Sequence, residues 1–312
     1  EQIILSEGKL SADINSDGKT TVKPSENKLF ITFDNGSMIF DKSTGFITSY
    51  IYKNHEMINS FPLGDFKGFA PAVYRAPLDN DRNICKYWHT MGLQNTSNIC
   101  KGSNFTDNGD NIVVTTNIKS IANCILPVAN TQIKYTIYPN GNILVDVNCL
   151  GGGAVKLLPR FGVMLEMPKE YENIKYFGLG EDVNLPDYKE HTINKVYQIT
   201  VDKLKEDYIK PQESATRCDV RFAEITNASG FGLRFEAVSK PFVFSASHYI
   251  SNQWAKAMHR DDLVDLPTTC VNIDSSVLGA GSNACGPLPD KKDRVGSLSG
   301  KKLSFVVKPI GE

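Results

Sequence analysis

The pattern that most restricts what this chain can fold into is a period-two alternation of apolar and polar residues, broken at short intervals by Gly, Pro, Asn and Asp. It is clearest where Thr131-Gln132-Ile133-Lys134-Tyr135-Thr136-Ile137-Tyr138 and Ile143-Leu144-Val145-Asp146-Val147 bracket Pro139-Asn140-Gly141-Asn142. Successive side chains of a strand point to opposite faces, so the two arms predict a hairpin with one buried face, and Asn-Gly supplies the positive φ angles of a tight turn. The same alternation runs through residues 29–33, turning at Asn35-Gly36 into 37–40, and returns at 112–118, 231–238, 242–246 and 303–307. Strands spread over the whole chain without long intervening helices predict an all-β fold of stacked antiparallel sheets. Helical patterning is confined to residues 85–93, which end near a glycine, and to 201–208.

At 312 residues the chain is long enough to bury a large core, as one big domain or two. Its 34 basic and 35 acidic residues nearly cancel, which leaves no electrostatic footprint for nucleic acid or an anionic membrane. No apolar run approaches the ~20 residues that cross a bilayer, and the start carries no export signal. A soluble chain is expected, cytoplasmic in preference to periplasmic. A first residue Glu1 in place of Met reads as a start inside a longer polypeptide. Seven scattered cysteines with no Cys-x-x-Cys read as buried reduced thiols, with neither a disulfide framework nor zinc-ligand spacing.

Two loops are rich in acids: Leu78-Asp79-Asn80-Asp81 and Gly178-Leu179-Gly180-Glu181-Asp182, with Asp187 beyond the second. Glycosidic hydrolysis needs two carboxyl groups facing each other across the bond, whereas Asp and Asn at 79–81 equally suit turn capping through their side chains. The histidines show no His-x-x-x-His spacing, no Gly-x-Ser-x-Gly occurs, and Gly151-Gly152-Gly153 fits a bulge or long turn and lacks the helix of a phosphate loop. Trp88, Tyr176-Phe177, Tyr188 and Trp254 lie near polar clusters and offer faces for a sugar ring, although aromatics of this size more commonly fill a core. Residue chemistry by itself thus reaches a β domain with a small polar pocket.

Ordered motifs go further. Phe40-Asp41-Lys42-Ser43-Thr44-Gly45-Phe46-Ile47, Arg75-Ala76-Pro77-Leu78-Asp79-Asn80-Asp81, Leu158-Pro159-Arg160-Phe161-Gly162 and Tyr176-Phe177-Gly178-Leu179-Gly180 occur in that order. They are followed by the segment from Tyr208-Ile209-Lys210-Pro211-Gln212-Glu213 to Arg217 and Arg221, and by Val271-Asn272-Ile273-Asp274, Gly279-Ala280-Gly281 and Cys285-Gly286-Pro287. In this order the chain resembles the C-terminal, small-chain or fifth, domain of the β-galactosidases of glycoside hydrolase family 2. The Arg75–Asp81 run matches the family's Arg-Ala-Pro-x-Asp-Asn-Asp at every position.

The resemblance implies a galactose mutarotase-like antiparallel supersandwich over residues 13–312, preceded over 1–12 by the tail of another sandwich domain. It places the catalytic glutamates on a barrel domain outside this chain, so no catalytic residue is assigned here and the chain by itself is expected to be inactive. Its implied contribution is the rim of a β-galactoside pocket: Asp79, Asn80, Asp81, Arg82, Asn83 and Cys285. The loop Arg82-Asn83-Ile84-Cys85 resembles a flap that closes on the sugar, and Tyr176–Gly180 resembles a turn. Cys285 stands where the best-studied members place a stacking Trp, and the family's Gly-Pro-x-Glu-x-Tyr-x-Asp-Arg is degraded over Gly180–Lys189, ending in Tyr188-Lys189. Magnesium and sodium are implied for the parent enzyme only, no cofactor or metal for this chain, and the implied partners are the parent's other domains and a second copy in a homo-oligomer. Two other readings are a free-standing aldose 1-epimerase, which needs a His acid and a Glu base in one pocket, with His248 and His259 the candidates, and a non-catalytic carbohydrate-binding module.

Overall fold

In a computed structural model, the chain is described at residues 10, 14, 17–58, 68–282 and 285–311. The segment read as the tail of a preceding domain lies almost entirely outside the described residues. The first strands form a meander, β1 Thr21–Pro24, β2 Lys28–Phe33, β3 Gly36–Asp41, β4 Phe46–Tyr52 and β5 His55–Glu56, paired in sequence order. Then follow β6 Ala70–Ala72, helix α1 Ile84–Thr90, and the long hairpin strands β7 Thr96–Asp107, β8 Ile112–Ala122, β9 Leu126–Ile137 and β10 Ile143–Gly152. The chain continues through β11 Arg160–Pro168, β12 Asn173–Gly180, β13 Ile193–Thr200, α2 Val201–Leu204, β14 Arg217–Val220, β15 Phe222–Thr226, β16 Gly232–Ala237 and β17 Phe242–Ser247. It ends with α3 Ser251–Lys256, β18 Thr268–Val277 and β19 Lys302–Ile310.

A nine-stranded sheet in the order β13-β12-β15-β16-β19-β10-β9-β8-β7 covers a five-stranded sheet in the order β14-β17-β18-β11-β6, and the pairings within both are antiparallel. Between them pack Val163, Leu165 and Met167 of β11, Val271 and Ile273 of β18 and Phe244 of β17. They meet Ile133, Tyr135, Val145, Val147, Phe235 and Phe305 of the larger sheet. Leu29, Ile31, Phe33 and Phe40 of the meander join the same buried cluster. Each such side chain contributes about 1.5–3 kcal/mol by leaving water, which makes this shared apolar layer the principal stabilising feature. The other face of the five-stranded sheet is partly polar. The register sets Glu166 opposite Cys270 and Met164 opposite Asn272, with Ser245 and Ser247 of β17 alongside, and α3 lies over this face.

Several local readings change. The 138–142 turn is a wider loop, closed by Tyr138 N–H donating to Asn142 O at 2.9 Å, and within Asn-Gly only Gly141 takes a positive φ, +85°. The earlier hairpin turns one residue sooner than read: Asn35 adopts φ +61°, and Gly36 already belongs to β3, where a Cβ would sit 2.3 Å from Ile51 O. Tyr176–Gly180 is the end of β12 and not a turn. Its glycines are required by close approach, since a Cβ on Gly178 would meet Val220 Cγ2 at 2.8 Å. Of the 201–208 helix only Val201–Leu204 forms. The chain then departs as Ser214 Oγ accepts the Glu206 N–H at 3.1 Å, and Pro211 disfavours helix just before it. Gly151 lies at a register shift in β10, as a bulge requires. All seven cysteines are free thiols, but burial holds only for Cys149, Cys218 and Cys270, while Cys124 and Cys285 are exposed.

Candidate functional site: a braced rim

The Arg-Ala-Pro run leaves β6 in extended conformation and carries Arg75 inward, where its side chain is fully buried. Arg75 Nη1 donates to Asp81 Oδ2 at 2.6 Å, and the Leu78 N–H donates to the same oxygen at 2.8 Å. A second guanidinium nitrogen reaches Leu278 O at 3.4 Å, and the guanidinium lies 5.6 Å from the Trp88 ring centroid. Two buried charges are costly to desolvate, and a pair in contact with additional hydrogen bonds is the arrangement that offsets the cost. This pair curls Asp79–Asp81 into a 3-10 turn. Helix α1 is then fastened by Ile84 and Trp88 in the core and by the indole N–H of Trp88 donating to Leu157 O at 2.9 Å.

The turn is cross-braced to two distant loops. Asn80 Nδ2 donates to Gly281 O at 2.6 Å, and the Asp79 N–H donates to Gln212 Oε1 at 2.8 Å. From the opposite side, the Asp187 carboxylate accepts the N–H groups of Ala280 at 2.7 Å and Gly281 at 2.8 Å. A Cβ at 279 would lie 2.5 Å from the Asp187 carboxyl carbon, so a larger residue there would displace the carboxylate from the Ala280 and Gly281 N–H groups. Next to the turn opens a cleft of about 450 Å³ walled by Asp79, Arg82, Cys85, His89, Lys210 and Gln212. Burial pushes the Cys85 thiol above its ordinary range, aided by Asp81, so it is held as the neutral thiol.

Beneath the rim, Gln212 and Glu213 divide the work: Gln212 bonds the turn, and Glu213 faces Arg160 at 3.9 Å in the interior. Arg160 Nε also lies 3.3 Å from Asp274, and Arg160 Nη2 donates to Ser245 at 3.5 Å. Burial raises the Asp274 carboxyl to about 7 against the pull of Arg160, with Glu213 adding to the rise. Arg217 donates to the carbonyls of Glu181 at 2.7 Å, Leu204 at 3.0 Å and Thr216 at 3.0 Å, tying the 181–187 and 204–217 segments together. The arginines and acids of the ordered motifs are therefore braces that position loops.

Of the six residues read as rim, Asp79, Arg82 and Asn83 are exposed and Asn80 is half-buried. Asp81 is instead buried under them, 2% exposed, as the counter-charge of Arg75. Cys285 is exposed, its N–H donating to Ser282 O at 3.1 Å, in the loop that Gly281 anchors. The proposed flap 82–85 is shorter than read, because Ile84 is seated in the core and opens α1, leaving residues 82–83 in the turn ahead of it. Asp187 and Gln212 were not read as rim residues, since their roles depend on loops that meet only in three dimensions. Among the aromatic faces considered, Trp88, Tyr176 and Trp254 are buried, and Tyr188 is 54% exposed. His248 is buried with Nδ1 3.1 Å from Thr268 O, and His259 is exposed. Neither lines the cleft described above. Among the described residues no group of three or more His, Cys, Asp or Glu comes together as a metal site.

The arrangement of stacked antiparallel sheets is that of the galactose mutarotase and aldose 1-epimerase fold. The chain superposes on galactose 1-epimerase from Lactobacillus acidophilus NCFM with a TM-score of 0.53 at 9% identity, covering 94% of this chain and 99% of that one. A C. elegans GalM/aldose epimerase homologue gives 0.50 at 10% identity, covering 91% and 99%. Within that fold, residues 32–307 match the family described as beta galactosidase small chain, and the chain belongs to that family. It is 28% identical to a β-galactosidase of Actinobacillus pleuropneumoniae over 91% of this chain and 27% of the relative. It is 27% identical to one of Staphylococcus xylosus over 80% of this chain and 24% of the relative. The chain thus spans about a quarter of the length of these relatives.

Proposed function

We propose that this chain is the C-terminal domain of a glycoside hydrolase family 2 β-galactosidase and completes the β-galactoside pocket of a barrel domain carried elsewhere in the parent protein. Family membership and the quarter-length match to β-galactosidases support the parent activity. The observation that carries the role of the domain is the double brace on Gly281, by Asn80 at its carbonyl and Asp187 at its N–H, which holds three loop segments as one wall. A wall of this kind acts by orienting the sugar and excluding water, and the bond chemistry belongs to carboxylates on the barrel. Arg82, Asn83 and Cys285 supply the sugar-facing edge, and Cys285 in place of a stacking Trp makes that edge less apolar. On this reading the magnesium and sodium of such a parent are assigned to its other domains.

The experiment is Asn80→Ala in the intact parent enzyme, assayed with a chromogenic β-galactoside. The expected result is a fall in kcat/KM of about tenfold, roughly 1.4 kcal/mol, expressed mainly as a higher KM with the thermal midpoint little changed. An unchanged kcat/KM would remove the braced wall from the reading.

A further inference from the structure

Beneath the rim two buried acids face a single buried cation. Among the described residues Arg160 of β11 is the one cation within ion-pair distance of Glu213, at 3.9 Å, and of Asp274 on β18, at 3.3 Å, and all three side chains are buried. With both acids ionised, one negative charge would stand uncompensated in the interior, which is costly, and a single proton removes it. We infer that Glu213 and Asp274 hold one proton between them, and that its presence sets how firmly Gln212 grips the rim turn. Arg160 and Glu213 are then positioning residues for the rim. What that grip does for a sugar rests on the proposed pocket, whereas the coupling rests on this chain alone.

Hydrogen bonds decide which acid carries the proton. Glu213 Oε1 accepts from the Ala215 N–H and from the Thr216 hydroxyl, each at 3.3 Å, and donors of this kind favour the ionised form. Neither oxygen of Asp274 has a hydrogen-bond partner among the described residues, so its contact with Arg160 is one of charge alone. A carboxyl fully out of water and without donors favours its neutral form, in line with the rise of Asp274 to about 7. Below that pH Arg160 answers Glu213 alone; above it Arg160 is divided between two anions that repel each other. Asp274 is fixed in a strand paired on both sides, by β11 and β17, so Glu213 on its loop is the acid that gives way. Its neighbour is Gln212, whose Oε1 accepts the Asp79 N–H at 2.8 Å.

Other titratable groups stand near both ends of this link. Tyr249 and Cys270 border the small pocket beside Glu213, and burial pushes both far above the neutral range. Arg217, next to Thr216, is engaged with carbonyls. Glu166, further along β11 and opposite Cys270, is itself raised to about 7 by burial. At the rim, Arg82, Cys85, His89 and Lys210 share the cleft with Asp79. Glu166 and His89 are therefore the groups from which an effect of Asp274 has to be separated.

With aspartate labelled with ¹⁵N and ¹³C, the chain is titrated from roughly pH 5.5 to 9 and followed by two-dimensional NMR. The Asp274 carboxyl signal is expected to titrate in the neutral range, and the Asp79 N–H signal to move with the same midpoint. Asp274→Asn, which keeps the shape of the protonated acid, is expected to fold and to lose that component of the Asp79 response, whereas Glu166→Gln retains it. Glu213→Gln removes the competing charge and is expected to lower the proton affinity of Asp274 by about tenfold or more. An Asp274 carboxyl ionised across the whole range, an Asp79 response unchanged in Asp274→Asn, or an Asp274 midpoint unmoved in Glu213→Gln would overturn the coupling. In the intact parent enzyme, Asp274→Asn is expected to flatten the rise of KM above neutral pH with kcat retained. An unaltered KM profile beside coupled NMR signals would count against the proposed pocket and leave the coupling standing.

Discussion

Asp81 and Glu166 are both buried carboxylates, 2% exposed each, and among the described residues only Asp81 of the two has a cation against it. Removing Asp81 leaves Arg75 charged and unpaired in the interior, so Asp81→Ala is expected to cost about 3–5 kcal/mol in urea unfolding, far more than the exposed Asp79→Ala. Glu166 is pushed up to about 7 by burial, opposed only by Thr268. A carboxyl raised from 4.5 in this way binds its proton more tightly when folded, so its stabilising contribution is full below pH 4.5 and is lost as the pH rises towards 7. Glu166→Gln, which cannot ionise, should match the wild type in stability at pH 4 and exceed it by on the order of 2 kcal/mol at pH 8, measured by denaturant unfolding at each pH. A constant difference across that range would contradict the assignment. At this scale the sequence was half legible. Asp and Asn at 79–81 announced a turn, but nothing local says that Asp187 reaches the N–H of Gly281, 94 residues on, or that Gln212 and Glu213 face opposite ways.

Elements were most legible where one face is wet. In β8 and β10 buried residues alternate with partly exposed ones, and the alternation located both strands. In β11 every residue from Arg160 to Met167 is buried, so periodicity is lost and only the Leu-Pro-Arg-x-Gly resemblance marked it. The end of β12 was misread as a turn because Gly178 and Gly180 look like punctuation, whereas Gly178 lets β12 approach β14 closely and Gly180 leaves room for the Tyr176 hydroxyl and the Tyr197 ring. Gly178→Ala would set a methyl group 2.8 Å from Val220 Cγ2 and 3.0 Å from Val220 Cα, forcing the two strands apart. The expected cost is about 1–3 kcal/mol by thermal or denaturant unfolding, with no effect if the contact is slack.

At the scale of the whole molecule, three sheets share one apolar cluster, and the rim is built from loops widely separated in the sequence. The core asks only for apolar character at alternating positions, a demand that many different sequences satisfy. Under the proposed function the chain shapes a pocket and cleaves nothing by itself. The most direct measurement is hydrolysis of a chromogenic β-galactoside by the purified chain alone and by the same chain joined to the remaining domains of its parent. The predicted result is no turnover above buffer for the chain and full turnover for the joined protein. Turnover by the chain alone that co-purifies with it and is abolished by Asp187→Ala would contradict the claim.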